Sequence, residues 1–322
     1  MKKMINRIAV VLLAFWLLPQ SADAARLLMP VGQVIGLALE DNSVSVVAFD
    51  EGLGKAAQEA GLRVGDQIIR IDDTDIQSAG DIHTALTQSD GTVDVRVLRN
   101  GRDKFLRLTP EITNNGPKLG VYLKQGVTGV GTVTWYDPES GAFGALGHGV
   151  NRADGELLQM QKGTAYRASV ASVKKGKVGA PGQLMGALES DEPIGVLDKN
   201  TDQGVFGQTD AGWQGICLPV AETDQIQTGQ AHIRATVEGD TVQEYSVEIL
   251  KIYPSSRTNG RNMLLKVTDP ALLATTGGIV QGMSGSPLVQ DGTLIGAVTH
   301  VLVNDPTMGY GIFIENMLEA AG

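Results

Sequence analysis

The chain of 322 residues holds one cysteine, Cys217. An intramolecular disulfide is therefore excluded, and so is a cysteine-rich zinc site. Its four histidines, His83, His148, His232 and His300, are scattered, so no local spacing recommends a metal cluster. Basic residues are in deficit, 26 Lys and Arg against 36 Asp and Glu, for a formal charge of −10. A nucleic-acid binder or a polybasic membrane-surface protein is disfavoured, because phosphate affinity needs clustered cations. Aromatics are only 5%. With 42% hydrophobic and 19% charged residues, the chain is neither a disordered polyelectrolyte nor a multispan membrane protein. What it does have is glycine, 41 residues, about 13% against an average near 7%. No Gly-x-y period is present, so the excess points to many short strands and tight turns. The length suggests two domains.

Residues 1–24 read as an address. Lys2, Lys3 and Arg7 precede an apolar run from Ile8 to Leu18, and an Ala-x-Ala pattern follows at Ala22 and Ala24. That is the order of a secretory signal peptide; the alternative is an uncleaved N-terminal anchor, although the run is short for a membrane span. Either reading places the remainder outside the cytoplasm. Residues 1–24 carry three positive charges and one negative, so the remainder stands at −12.

From Leu28 to Pro110 the pattern is that of a small α+β module. Ser43 to Phe49 alternates as a strand, Ala56 to Ala60 is a short helix stopped by Gly61, and Arg63 to Ile71 is a turn followed by a strand. Ser78 is an N-cap candidate for a helix running to Thr87. Asn100-Gly101 is a hairpin turn between Asp94–Arg99 and Lys104–Leu108. The string Ala56-Ala57-Gln58-Glu59-Ala60-Gly61-Leu62-Arg63-Val64-Gly65-Asp66-Gln67-Ile68 resembles the bacterial PDZ signature. Val34-Ile35-Gly36-Leu37 then stands where such domains keep a carboxylate-binding loop beside a sheet edge, the arrangement that accepts a peptide strand. His83 reads as surface or groove lining, since no nucleophile motif lies near it. Asn114-Asn115-Gly116-Pro117 is a turn-rich break, which divides the chain into a leader at 1–24, a PDZ domain at 25–115 and a second domain at 116–322.

The second domain is glycine-punctuated β sequence. Thr128 to Asp137 is a strand, Pro138-Glu139-Ser140-Gly141 a turn, and Ala142 to Val150 the return strand, which delivers His148 between Gly147 and Gly149. Glycine neighbours keep an imidazole accessible, as a catalytic base requires. Further on, Gly282-Met283-Ser284-Gly285-Ser286-Pro287 resembles the nucleophile loop of chymotrypsin-like proteases. A tight turn there aims Ser284 outward, and the backbone N–H groups of Gly282 and Ser284 converge on a developing oxyanion. The α/β-hydrolase elbow needs glycine where Ser286 stands. His148 precedes Ser284 by 136 positions, which suits a double β-barrel. Ser286 is out of register for the nucleophile. Chain order selects no acid among Asp154, Asp191, Asp198, Asp202, Asp210, Asp224, Asp240 and Asp269.

Lys266-Val267-Thr268-Asp269-Pro270, Thr275 to Pro287, Gly296-Ala297-Val298-Thr299-His300-Val301 and Asn304-Asp305-Pro306 together make the resemblance closer. The chain resembles the stage IV sporulation protein B peptidases, family S55, over nearly its whole length. That resemblance implies a mainly β fold, an N-terminal PDZ domain followed by a chymotrypsin-like double β-barrel serine peptidase. It implies His148 as base, Ser284 as nucleophile and Asp269 as orienting acid, with no cofactor and no metal. It further implies an endopeptidase exported from the forespore into the space between forespore and mother-cell membranes. There such enzymes cut themselves and a membrane-bound regulator of an intramembrane protease, leading to activation of a mother-cell sigma factor. The PDZ domain would bind peptide segments. His300 is either a buried strand histidine or a wall of the specificity pocket. Cys217, with no basic neighbour, reads as core. The rival reading is a catalytically inactive exported PDZ adaptor. A chaperone-protease of the HtrA type fits less well, since there the PDZ domain follows the peptidase.

Overall fold

Alternating apolar residues dominate the described chain, and most of it is strand. The computed structural model describes residues 26–152, 155–254, 256 and 260–322. The leader-like residues 1–24 and Asp154 lie outside that set. Among the described residues no helix is long and apolar enough to cross a membrane.

The chain enters through β1 (Leu27–Pro30) and the 16-residue strand β2 (Val34–Phe49). Alternation along β2 buries Val34, Ile35, Leu37 and Leu39 at one end and Val44 and Val46 at the other. The two ends feed different cores. Next come α1 (Lys55–Glu59), β3 (Gln67–Ile71), β4 (Thr74–Asp75), α2 (Ala79–Gln88), β5 (Val93–Arg99) and β6 (Arg102–Leu108). A small hairpin of β7 (Glu111–Thr113) and β8 (Gly116–Lys118) follows. β9 (Val121–Tyr136) then returns antiparallel to β2, from Phe49↔Val121 to Val34↔Thr132.

Local chemistry explains the PDZ module. Ser78 and Asp81 form a reciprocal capping box: Asp81 N–H donates to Ser78 Oγ at 3.2 Å and Ser78 N–H to Asp81 Oδ2 at 2.8 Å. Asn100 (φ 49°) and Gly101 (φ 69°) make the two-residue turn between β5 and β6 that a type I′ hairpin demands. The amphipathic face of α2 packs Ile82 and Leu86 onto Ile68, Ile71, Val95 and Val97.

Four strands follow: β10 (Ala142–Ala145), β11 (Lys162–Lys174), β12 (Gln183–Thr201) and β13 (Gly204–Gln208). The antiparallel pairings β2–β9, β9–β10, β10–β13, β13–β12, β12–β11 and β11–β2 close a six-stranded ring. After β14 (Leu218–Pro219) come β15 (Gly229–Thr236), β16 (Val242–Ile252), β17 (Met263–Val267), α3 (Pro270–Thr276), β18 (Pro287–Gln290), β19 (Thr293–Leu302), β20 (Asp305–Phe313) and α4 (Ile314–Ala321). The six strands from β15 to β20 form a second closed barrel, in the order β15-β16-β17-β20-β19-β18. Closure leaves neither ring a free edge. Helix α4 joins them, since Ile314 and Met317 pack with Trp135 of β9 and with Leu294, Ala297 and Ile312 of the second barrel.

The expected carboxylate-binding loop is corrected here. Val34-Ile35-Gly36-Leu37 is a barrel strand, flanked by β9 on one side and β11 on the other, with its side chains buried. A peptide strand finds no free edge there. The apolar alternation reads the same for either role, and only pairing with strands far along the chain decides it. The same pairings cross the expected boundary at 115. Residues 27–39 belong with the peptidase barrels, while Val121–Gln125 complete the PDZ sheet.

Candidate active site

A cleft of about 510 Å³ lies between the barrels. Leu37, Val130 and Leu146 of the first barrel and Ile279, Val280 and Val301 of the second line it. His148, Ser284 and His300 open into it. Three residues that are remote in sequence thus meet in one place.

The Gly282–Ser286 loop is held from both sides. From β9, Thr132 N–H donates to Ser284 O at 3.0 Å, Thr132 Oγ1 to Gly282 O at 2.8 Å and Thr134 Oγ1 to Gly285 O at 2.8 Å. From the second barrel, Gly285 N–H donates to Val298 O at 2.8 Å. Gly285 must be glycine: its φ is +96° and a Cβ would lie 2.0 Å from Thr132 O. Met283, fully buried, anchors the turn. With the loop carbonyls taken, the N–H groups of Gly282 and Ser284 have no acceptor among the described residues, and both residues line the cleft. Ser284 Oγ donates to Thr299 O at 2.9 Å, not to His148. Ser286 is completely buried, which bars it from substrate.

His148 follows β10 through the left-handed residues Leu146 and Gly147, each at φ 70°. Its Nδ1 is 2.9 Å from Gly149 O. A carbonyl can only accept, so Nδ1 carries the proton and Nε2 keeps its lone pair. Asn200 steadies the segment after it, accepting from Val150 N–H and donating to Val150 O and Leu158 O, each at 2.9 Å. Burial pushes the His148 pKa below the usual imidazole value, and the Gly149 bond opposes that only in part. His300 stands 5.6 Å from His148, ring centre to ring centre, with its Nδ1 buried and without a partner among the described residues. Burial first, then the neighbouring His148 and Arg261, lower its pKa to about 4. Both rings are therefore neutral at pH 7.

Asp269 is elsewhere, which corrects its expected role as orienting acid. It caps the N-terminus of α3, where Oδ1 accepts from Ala271 N–H at 2.9 Å and Leu272 N–H at 3.0 Å, and Oδ2 accepts from Ser246 N–H at 3.3 Å. It does not line the cleft, and no carboxylate among the described residues does. The string Asp269-Pro270, an N-cap followed by proline at the first helical position, carried that signal in the sequence. The group that sets the His148 tautomer is the Gly149 carbonyl. Asp269→Ala is expected to cost about 1 kcal/mol of stability, as a lost N-cap does, while changing kcat/KM less than tenfold. Urea denaturation alongside peptide hydrolysis separates the two effects.

A second concavity, about 300 Å³, lies between α2 and the start of β9. Its walls include Ile82, His83 and Leu86 of α2 and Leu119, Val121 and Leu123 of the returning chain. Sequence reasoning missed this segment. Lys118-Leu119-Gly120-Val121 repeats the apolar-Gly-apolar pattern of Val34 to Leu37, but it lies beyond the expected domain boundary.

Two antiparallel barrels with serine and histidine in the cleft between them, preceded by an inserted PDZ module, define a serine peptidase of the double-barrel class. The family model described as SpoIVB peptidase S55 matches residues 115–318, and a PDZ domain model matches 33–109. The chain belongs to the SpoIVB peptidase family, S55. Among solved structures, the one titled "Crystal structure of Rv3671c protease, inactive form" aligns over 59% of this chain and 82% of its own, at 14% identity and a TM-score of 0.34. A likeness that distant carries no functional argument. No curated protein matches the chain.

Proposed function

We propose that the protein is an exported serine endopeptidase of sporulation signalling, which cuts itself and a membrane-bound regulator of an intramembrane protease. The observation that carries the chemistry is the shared cleft of Ser284 and a His148 held in its Nδ1–H tautomer. Family membership supports the biological role. The leader-like residues 1–24 support export into the space between forespore and mother cell, with the segment cleaved or kept as an anchor.

The reaction is acyl transfer. Substrate entry turns Ser284 Oγ from Thr299 O towards His148 Nε2, which takes its proton as Oγ attacks the peptide carbonyl. The oxyanion rests on the N–H groups of Gly282 and Ser284, which have no acceptor to give up among the described residues. His148 returns the proton to the departing amine, and water then releases the acyl group. The Gly149 carbonyl plays the orienting part that a carboxylate plays elsewhere, with less charge to stabilise an imidazolium.

A specific observation gives the adaptor reading its own weight: Ser284 Oγ is bonded to Thr299 O, so nucleophile and base are not joined in this structure. Intact-mass spectrometry over time, with a fluorophosphonate probe in parallel, decides between them. A serine peptidase is labelled at Ser284 and fragments itself, and Ser284→Ala does neither. An intact, unlabelled wild type favours the adaptor, or an inactive form that awaits a partner.

A further inference from the structure

The Gly282–Ser286 loop does not aim its oxyanion donors by its own sterics. Gly282 stands at φ +97°, and a glycine turns its two flanking peptides at little steric cost. Each donor N–H shares a rigid plane with the carbonyl of the residue before it, and in a trans peptide the two point in opposite directions. Whatever holds the carbonyl therefore aims the N–H.

Every carbonyl from Gln281 to Ser284 is held. Gln281 O, in the plane of the Gly282 N–H, accepts from Leu184 N–H at 2.8 Å, and Gln281 N–H donates to Gly182 O at 2.9 Å. These bonds lay the start of β12 parallel to Gln281. Met283 O, in the plane of the Ser284 N–H, accepts from Ser286 N–H at 2.9 Å, a bond within the loop. Between the two donor planes lies the Gly282–Met283 peptide, so a turn of that plane pulls on both. Its N–H donates to Val280 O at 3.1 Å, and its carbonyl accepts the Thr132 hydroxyl at 2.8 Å.

Thr132 belongs to the other barrel. It is 1% exposed and does not line the cleft. Its N–H donates to Ser284 O at 3.0 Å, so it grips the loop on either side of Met283. A hydroxyl has one proton, and here it goes to Gly282 O. Thr134, on the same face of β9 and equally buried, makes a bond of the same kind and length to Gly285 O, beyond the donor planes.

We propose that Thr132 is a positioning residue: its hydroxyl fixes the Gly282–Met283 peptide and so keeps the N–H groups of Gly282 and Ser284 aimed where the oxyanion forms. The assignment rests on the peptidase reading and adds to it a residue that touches no substrate.

Thr132→Val keeps the side-chain shape and the N–H bond to Ser284 O while removing the hydroxyl. Thr132→Ser restores the hydroxyl, and Thr134→Val removes the neighbouring one. On the full chain, kcat and KM are measured separately with a fluorogenic peptide. Affinity for a peptide aldehyde, whose adduct with Ser284 puts an oxygen in the oxyanion site, and melting temperature are measured beside them. Thr132→Val is expected to lower kcat by roughly 10–100-fold, less than outright removal of a donor, with KM changed by under about threefold. Aldehyde affinity is expected to fall in proportion to kcat/KM, and Thr132→Ser to recover most of both. Thr134→Val is expected to lower the melting temperature as much, yet kcat at least fivefold less. Should Thr132→Val fail to fold, Thr132→Ala takes its place with the same expected readings. Equal losses of kcat in the two valine variants, no recovery with serine, or a kcat unchanged in Thr132→Val while the wild type is active each overturn the proposal alone. A wild type that neither hydrolyses peptide nor takes a fluorophosphonate overturns the peptidase reading and the positioning role with it.

Discussion

Ser284→Ala is expected to lower kcat/KM by roughly 10⁴–10⁶-fold, the range for removing an activated serine. Stability should change by no more than about 1 kcal/mol, since the mutation deletes one hydrogen bond, Ser284 Oγ to Thr299 O. His148→Ala should cost a similar factor, and the double variant little more than either single one, because nucleophile and base act as a unit. The pH dependence follows from burial. The His148 pKa lies below the ordinary 6.5, so the base stays deprotonated through neutrality and the acid limb of kcat/KM falls below pH 6.5. Activity that collapsed between pH 7 and 8 would contradict a buried His148. Rates on a fluorogenic peptide across pH 4–9, for wild type and the three variants, check every part of this.

Arg99→Ala is the substitution expected to damage the fold most. Asp66 is completely buried, and Arg99 clasps it through Nε and Nη2, each at 2.6 Å, while Arg99 Nη2 also reaches Gly61 O at 2.7 Å. Arg63 N–H supplies one more bond to Asp66, at 2.9 Å. Removing the guanidinium strands a carboxylate in the interior and should cost about 3–5 kcal/mol. That is a large fraction of what a domain of this size has. The apolar pair Arg99→Met with Asp66→Leu should recover much of the loss, because it removes both charges together. Urea denaturation of the wild type and the two variants is the measurement, and an Arg99→Ala loss below 1 kcal/mol would show the pair to be expendable. In the sequence Gly65-Asp66 looked like ordinary turn chemistry; its partner stands 33 residues away.

Elements that local physics decides were legible. The helix at Ala56–Ala60 appears as Lys55–Glu59, the Ser78 cap as a full capping box, and Asn100-Gly101 as a turn with two positive φ angles. The Gly282–Ser286 string was readable as a tight turn because its glycines, at φ 97° and 96°, are steric necessities. Val34 to Leu37 and Asp269 were misread for opposite reasons. The first carries an apolar alternation that says strand or strand-flanking loop without naming a partner. The second carries an explicit cap signal, while its role as orienting acid was only what the family resemblance implied.

By itself the sequence determined the helix caps, the tight turns, the alternation of each strand and the residue types that acyl transfer requires. These depend on neighbours a few positions apart, where sterics and backbone hydrogen bonding act directly. Only the tertiary structure decided which barrel β2 joins, that β9 serves both the PDZ groove and the nucleophile loop, and that a carbonyl, not Asp269, faces His148. Those outcomes depend on strand pairing across long loops. There many partners offer equivalent hydrogen bonds, and the choice is made by which arrangement buries the apolar faces of both barrels at once.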